Sequence, residues 1–288
     1  MPIKEIANNP ALKYQVRLLD DITYAAIDGK PLKMCLLEPW TQRYPDKFEP
    51  QARPLIVFVQ GSSWRVGKMG EQLPQLAQFV KAGYVVASVQ HRNAIDGNPF
   101  PAFLEDIKTA IRYLRYRSKD FQIDPNRVAI WGTSSGGNAA MLVGLTGDDP
   151  KYRNDFYPDQ SDKVNAVISC FAPMDVADTL KYTAHVPGSD LLGYYLFGRD
   201  VKKWPEKQAE MSPLYQVQAG QDYPAFLLLH GDADMVVPYH QMEDMYNKLS
   251  EFGYDVDAYR VKGANHEFDF WSDQIYSIAQ EFLDNKIK

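Results

Sequence analysis

Between residues 128 and 140 the chain reads VAIWGTSSGGNAA, which places Ser134 with a glycine two positions before it and another two positions after it. A serine hydroxyl is a poor nucleophile until a neighbouring base takes its proton and a third group orients that base. The Gly-x-Ser-x-Gly pattern is a weak signal alone, but its setting strengthens it. An apolar strand-like run precedes it and a run of small residues with helical character follows. In that strand-to-helix turn the motif forces its central residue into a strained conformation and pushes its side chain outward. Side chains on either side would collide, so Gly132 and Gly136 are required, while Gly137, Ala139 and Ala140 let the helix lie close to the strands. The helix start also favours negative charge developing nearby. Ser135 is the alternative nucleophile, but Thr133 stands two positions before it.

In this arrangement the order along the chain is serine, then carboxylate, then histidine. The histidines are His91, His185, His230, His240 and His266. Only His240 and His266 follow every plausible acid. His266 lies on a glycine-bearing loop, VKGANHEFDFW, after the last strand-like run and before the last helical one. It is the expected general base. His240 is expected to begin a helix, and His230 to be a hydrogen-bonded structural residue at a strand end. Three acids remain open: Asp232 and Asp234 in LLLHGDADMVVP, and Asp175 in FAPMDV.

These residues need a frame. Residues 55–59, 84–89, 128–132, 164–171, 225–230 and 256–261 are short apolar runs of strand length. Helical spacing joins Leu73, Leu76, Ala77 and Val80, with Gly83 as the stop. It also joins Phe103 through Leu114, residues 138–145, Met242 through Leu249, and Ile275 through Leu283. Strands alternating with amphipathic helices predict a mostly parallel sheet covered on both faces, with ligands bound at the carboxyl ends of the strands. Before that series, YQVRLL and DITYAAI read as strands, Asp28-Gly29 as a hairpin turn and PLKMCLLEP as its return, giving antiparallel N-terminal strands. Residues 40–54 read as a polar loop. The whole of 1–288 is expected to be one domain. A long excursion at 176–215 interrupts the alternation and is expected to form a cap or lid.

Composition narrows the partners. The 288 residues are 45% hydrophobic and 24% charged, with a formal net charge of -6 and no basic cluster, which argues against nucleic acid. No apolar run approaches the roughly 18 residues of a membrane span, and the N-terminus lacks a signal-peptide pattern, so the expected location is cytoplasmic. Cys35 and Cys170 lie in apolar runs and read as buried thiols. No spacing of cysteine and histidine suggests a metal site, and no cofactor is expected. The sequence does not fix an oligomeric state.

Taken together, GTSSGG, HGDADMVVP, GANHEF and the stretch PLIVFVQGSSW resemble the α/β-hydrolase superfamily over roughly residues 50–285. The resemblance is closest to the esterase and lipase group related to hormone-sensitive lipase, and to its bacterial feruloyl- and acetyl-esterase branch. It implies an α/β-hydrolase fold with a small cap. It favours Asp234 as the acid, because MVVP follows it as in the Asp-x-x-Val-Pro of such esterases. Much of that group carries His-Gly-Gly-Gly-Trp where this chain has Gln60-Gly61-Ser62-Ser63-Trp64. By that resemblance the backbone N–H groups of Ser62, Ser63 and Ser135 form an oxyanion hole, and Gln60 keeps a loop hydrogen bond. Serine suffices there unless φ is positive or space is tight. Trp64 either lines the substrate pocket or packs beneath it, and Phe100, Phe103, Tyr182 and Trp271 also fall near pocket loops. The implied activity is hydrolysis of small acyl or aromatic-acid esters through an acyl-enzyme. Arylformamidase or peptidase chemistry on the same fold, or a non-catalytic ligand receptor, are the alternatives.

Overall fold

The computed structural model describes residues 3–8, 15–40, 51–185 and 189–288. Strand-forming runs and helical stripes settle into an eight-stranded sheet with β1 Val16–Ile27, β2 Lys30–Pro39, β3 Arg53–Val59, β4 Val85–Val89, β5 Ile123–Thr133, β6 Ala166–Cys170, β7 Ala225–Gly231 and β8 Val256–Val261. The strand order is β1-β2-β4-β3-β5-β6-β7-β8. β1 with β2 and β2 with β4 are antiparallel, and every later neighbour is parallel.

Each central strand is buried on both faces because helices cover both. Along β3, Leu55, Val57 and Val59 face one core, together with α2 Ala102–Tyr116, α3 Ser135–Leu145 and α8 His240–Glu251. Ile56 and Phe58 face the other, with α1 Leu73–Lys81 and α9 Asp273–Ile287. This two-residue period is the pleat itself, and it explains why the strands read as continuous apolar runs. The molecule has the α/β-hydrolase fold.

The helical and strand stretches expected from spacing are all present, with three main differences. β5 begins at Ile123, five residues before the expected 128–132 run. The described part of YQVRLL, from Val16, and DITYAAI are one strand, β1, carrying a register shift between Leu19 and Ile22 where Asp21 adopts φ 60°. A bulge lets a single strand change register without breaking its pairing. α3 starts at Ser135, three residues before the apolar stripe, because the turn at Ser134 leads directly into it. Of the expected 40–54 loop, residues 41–50 lie outside the described residues, and Arg53 and Pro54 already belong to β3.

Between β6 and β7 the chain forms α4 Val176–Tyr182, α5 Ser189–Phe197, α6 Trp204–Met211 and α7 Pro213–Gln216. This excursion is tied to the sheet-bearing body. The buried Gln241 side chain of α8 accepts the N–H groups of Met174 and Asp175, at the start of the excursion, at 2.8 and 3.0 Å. The Phe100 N–H donates to the Leu196 carbonyl at 2.9 Å. Among the described residues no helix is long and apolar enough to cross a membrane.

Candidate active site

Ser134 lies in the turn between β5 and α3 with φ 51° and ψ -123°. A non-glycine residue held in a sparsely populated region costs on the order of 1–3 kcal/mol and persists only where the surroundings enforce it. Here they do. A Cβ at Gly132 would lie 2.0 Å from the Gly136 carbonyl oxygen, and one at Gly136 would lie 2.1 Å from that of Val59. A Cβ at Gly61 would lie 2.8 Å from both Ser134 Cβ and the Thr133 carbonyl oxygen, so the loop after β3 also needs glycine to approach the turn. Backbone strain gathers around this point: Ser63, Trp64, Phe171 and Glu267 all have positive φ.

The parallel strands deliver the other two side chains to the same end of the sheet. Asp234 lies just past β7, and His266 lies on the loop between β8 and α9. His266 Nε2 stands 3.0 Å from Ser134 Oγ, and its Nδ1 stands 2.8 Å from Asp234 Oδ2. The imidazole is largely buried and packs edge-on against Phe171, with centroids 4.7 Å apart. The Asp234 carboxylate is buried. Its Oδ1 accepts the N–H groups of Val236 and Val237 at 2.7 and 2.8 Å. Burial pushes its pKa up, but hydrogen bonds from His230 and His266, the charge of His266 and the Val237 amide outweigh that. The carboxyl is held below the usual range and stays ionised.

The competing residues are engaged elsewhere. Asp232 accepts the Gly263 N–H at 2.6 Å and pairs with Arg260. Asp175 caps α4, and its Oδ2 accepts the Tyr215 hydroxyl at 2.6 Å. His240 begins α8 and pairs with Asp178 on the surface. Ser135 is buried, and its Oγ accepts the Ser62 N–H at 2.9 Å.

That last contact bears on the expected oxyanion donors. The Ser62 N–H already has a partner in Ser135, and the Gly61 N–H has one in Thr133 Oγ1 at 2.9 Å. Among the described residues, the N–H groups of Ser63 and Ser135 have no partner. Ser63 has φ 52° and Trp64 φ 57°, so serine occupies a left-handed position that glycine fills without strain. The expected Gln60 side-chain hydrogen bond is not made through its oxygen: Oε1 is buried with no partner among the described residues.

A cavity of about 220 Å³ opens beside the nucleophile, lined by Ser63, Trp64, Ser134 and Ser135 on one side and by Leu180, Leu192 and Met235 on the other. Trp64 does both things left open by its position in the sequence. It lines the cavity, and it is also buried, with its indole N–H on Asn138 Oδ1 at 3.3 Å and its ring against Phe103. Phe100 and Phe103 form core beneath it. Trp271 stacks on Tyr276 at 5.4 Å, away from the cavity lining. The Tyr182 hydroxyl donates to the Asp234 carbonyl at 3.3 Å, joining α4 to the acid loop. A larger polar crevice of about 690 Å³ lies among Arg115, Lys163, Asn165 and Asp222, and Ser134, Asp234 and His266 are absent from its lining. Among the described residues no group of three His, Cys, Asp or Glu side chains is placed to hold a metal ion.

One residue has a larger place in the site than its sequence position suggested. His230, the penultimate residue of β7, is fully buried and hydrogen-bonded as expected, but its partner is Asp234 itself. Its Nε2 lies 3.1 Å from Asp234 Oδ2 and 3.1 Å from the Val237 carbonyl oxygen. Because a carbonyl only accepts, Nε2 carries the proton. Nδ1 is buried without a partner. Two imidazoles therefore share one carboxylate oxygen. The available signal was the spacing of His230 and Asp234 across a strand end, which does not reveal that the loop folds back.

The sequence profile of the BD-FAE family matches residues 43–249, most of the chain. The chain belongs to the BD-FAE family. The match covers Ser134 and Asp234 and ends before the His266 loop of this BD-FAE chain. Among curated proteins, Esterase LipC of Mycobacterium tuberculosis is 29% identical over 242 residues, covering 81% of this chain and 57% of its own length. The probable carboxylic ester hydrolase LipM of the same organism is 25% identical over 235 residues, covering 81% of this chain and 53% of its own. The BD-FAE chain thus spans about half the length of these relatives. Among solved structures, a truncated form of a carbohydrate esterase from gut microbiota superposes with a TM-score of 0.76 at 23% identity, covering 96% of this chain and 97% of that one. Thermogutta terrifontis esterase 2 phosphoramylated by tabun superposes with a TM-score of 0.73 at 22% identity, covering 92% of each chain. These likenesses establish a shared fold.

Proposed function

We propose that this BD-FAE chain is a serine carboxylesterase acting on small acyl or aromatic-acid esters through an acyl-enzyme. The observation that carries the reading is the unbroken series of contacts Ser134 Oγ–His266 Nε2–His266 Nδ1–Asp234 Oδ2, at 3.0 and 2.8 Å, beside two backbone N–H groups with no partner among the described residues. The names of LipC and LipM, and a structural neighbour recorded as phosphorylated by paraoxon, support it.

Ser134 Oγ attacks the ester carbonyl carbon as His266 Nε2 takes its proton. The carbonyl oxygen gains the negative charge and is held by the N–H groups of Ser63 and Ser135, with Ser62 holding Ser135 Oγ beside them. Losing one such donor typically costs about 3 kcal/mol of transition-state stabilisation. His266 gives its proton to the departing alcohol oxygen, the C–O bond breaks and the acyl group stays on Ser134. His266 then takes a proton from water, which attacks the acyl carbon, and returns it to Ser134 as the acid leaves. Asp234 keeps Nδ1 protonated and stabilises the imidazolium. No step calls for a metal or an organic cofactor. His266 must be neutral to act as base, so activity falls on the acid side and levels at higher pH.

The cavity of about 220 Å³ is smaller than the roughly 300 Å³ at which drug-sized pockets begin, and its walls are mainly apolar, which favours short acyl chains. The α4–α7 excursion roofs this cavity and serves as a cap within a single domain. A cytoplasmic location fits the two buried, unpaired thiols of Cys35 and Cys170. The partner is a small ester, and the charge balance disfavours nucleic acid.

The test is turnover of p-nitrophenyl acetate and butyrate by wild type and Ser134→Ala, with paraoxon labelling read by intact mass. The wild type is expected to turn over and gain one adduct. Ser134→Ala is expected to lose at least about 10³-fold in kcat and to remain unlabelled. Equal turnover by both proteins would refute the assignment.

A further inference from the structure

Among the described residues, the exposed Arg65 is the one charged residue in the lining of the catalytic cavity. Its backbone is fixed to the loop that presents the Ser63 N–H. The Arg65 N–H donates to the Ser62 carbonyl at 3.1 Å, and the Arg65 carbonyl accepts Ser62 Oγ at 2.7 Å. Its guanidinium, by contrast, has no ion pair and no hydrogen bond with any described residue. Three other arginines, in contrast, are fully engaged. Arg92 holds Asp106 and Glu105, Arg112 holds Asp162, and Arg115 donates to the carbonyls of Pro125, Ser161 and Lys163. Among the described residues the remaining lining is apolar or hydroxyl-bearing and includes no carboxylate. A protein of formal net charge -6 therefore presents an unneutralised cation at the mouth of a largely apolar cavity, beside its candidate nucleophile.

The geometry points to Arg65 as the receptor for an anionic group on the substrate. This inference rests on the esterase reading and narrows it to esters carrying a carboxylate on the part that occupies this cavity. The guanidinium fork suits carboxylate oxygens, which it can bind through two parallel N–H donors. Arg65 is solvent-exposed, so such a pair remains sensitive to salt. The carboxylate can sit on the acyl group or on the alcohol, and the two cases are separable by experiment.

The experiment compares wild type, Arg65→Met and Arg65→Lys on two matched pairs of esters. The acyl arm uses mono-p-nitrophenyl glutarate against p-nitrophenyl valerate, after subtraction of the enzyme-free rate. The alcohol arm uses 4-acetoxybenzoate against its methyl ester. The readout is the ratio of kcat/KM for the anionic ester to that for the neutral one, so a loss common to both esters cancels. In one arm this ratio is expected to fall by up to about fivefold in Arg65→Met, the worth of a well-formed exposed ion pair. It is expected to be largely kept in Arg65→Lys and to decline in the wild type as salt rises. A ratio unchanged by Arg65→Met in both arms would overturn the inference, including the case where both esters slow equally because the loop has shifted. Wild type inactive on all four esters would overturn the esterase reading, and this one with it.

Discussion

The sharing of Asp234 Oδ2 by two histidines makes a prediction that a purely structural role for His230 does not. His230→Leu removes the Nε2 donor that lies 3.1 Å from Asp234 Oδ2. A hydrogen bond to a charged group contributes about 1.5–3 kcal/mol. Here the proton is divided between Asp234 and the Val237 carbonyl at equal distances, so the low end, about 1.5 kcal/mol, is appropriate. The same substitution removes the buried Nδ1 that has no partner, a defect that costs about 1–3 kcal/mol. The two changes nearly cancel, and stability should move by about 1 kcal/mol or less. The carboxylate does not escape so lightly. With one donor gone it becomes a stronger acceptor for His266 Nδ1–H and favours the imidazolium. One pH unit corresponds to about 1.4 kcal/mol. If about half of the lost hydrogen bond is redirected to His266, the acid limb of the log(kcat/KM) profile rises by about half a unit. The assay is that profile from pH 4.5 to 9 on p-nitrophenyl butyrate, with urea unfolding as the control for folding. His230→Gln, which can keep a donor near the same place, should leave the limb close to that of the wild type. A folded His230→Leu protein whose acid limb coincides with wild type would refute the claim that His230 acts on the base through Asp234.

Three further outcomes follow from the geometry. Gly136→Ala places a Cβ 2.1 Å from the Val59 carbonyl oxygen; that oxygen belongs to packed backbone and cannot swing aside, so the variant should unfold in urea at least about 3 kcal/mol more easily and lose ester turnover. Ser63→Gly relieves a left-handed serine worth about 1–2 kcal/mol against about 0.4–1 kcal/mol of added unfolded-chain entropy, so a net gain of about 0.5–1 kcal/mol should appear in urea unfolding. Asp234 has a folded pKa below its ordinary value of 3.8, so its stabilising contribution is fully present above about pH 4 and is lost as the pH falls toward the lower folded value. The stability gap between wild type and Asp234→Asn should therefore be widest above about pH 4 and narrow below it; a gap that widens on acidification would contradict the arrangement.

What the sequence determined by itself was whatever local sterics and periodicity dictate. Gly132 and Gly136 around Ser134 marked the tight turn because no other residue fits there, and the structure holds Ser134 at φ 51° between β5 and α3. The alternation of apolar runs and helical stripes fixed a parallel sheet covered on both faces, and hence the end at which functional side chains gather. Tertiary structure decided what depends on distant segments folding back together. Residue spacing alone left Asp175, Asp232 and Asp234 open; only the loop after β7 aims Asp234 at His266 and turns Asp232 toward Gly263 and Arg260. The Ser62 N–H looked equivalent to its neighbours until α3 brought the Ser135 hydroxyl within 2.9 Å of it. Arg65 met the catalytic cavity through contacts that no periodicity encodes, and even the short-range meeting of His230 with Asp234 depended on how the loop after β7 folds back. A backbone turn is a property of a few consecutive residues, whereas a hydrogen bond across more than a hundred of them exists only after the whole sheet has set its register.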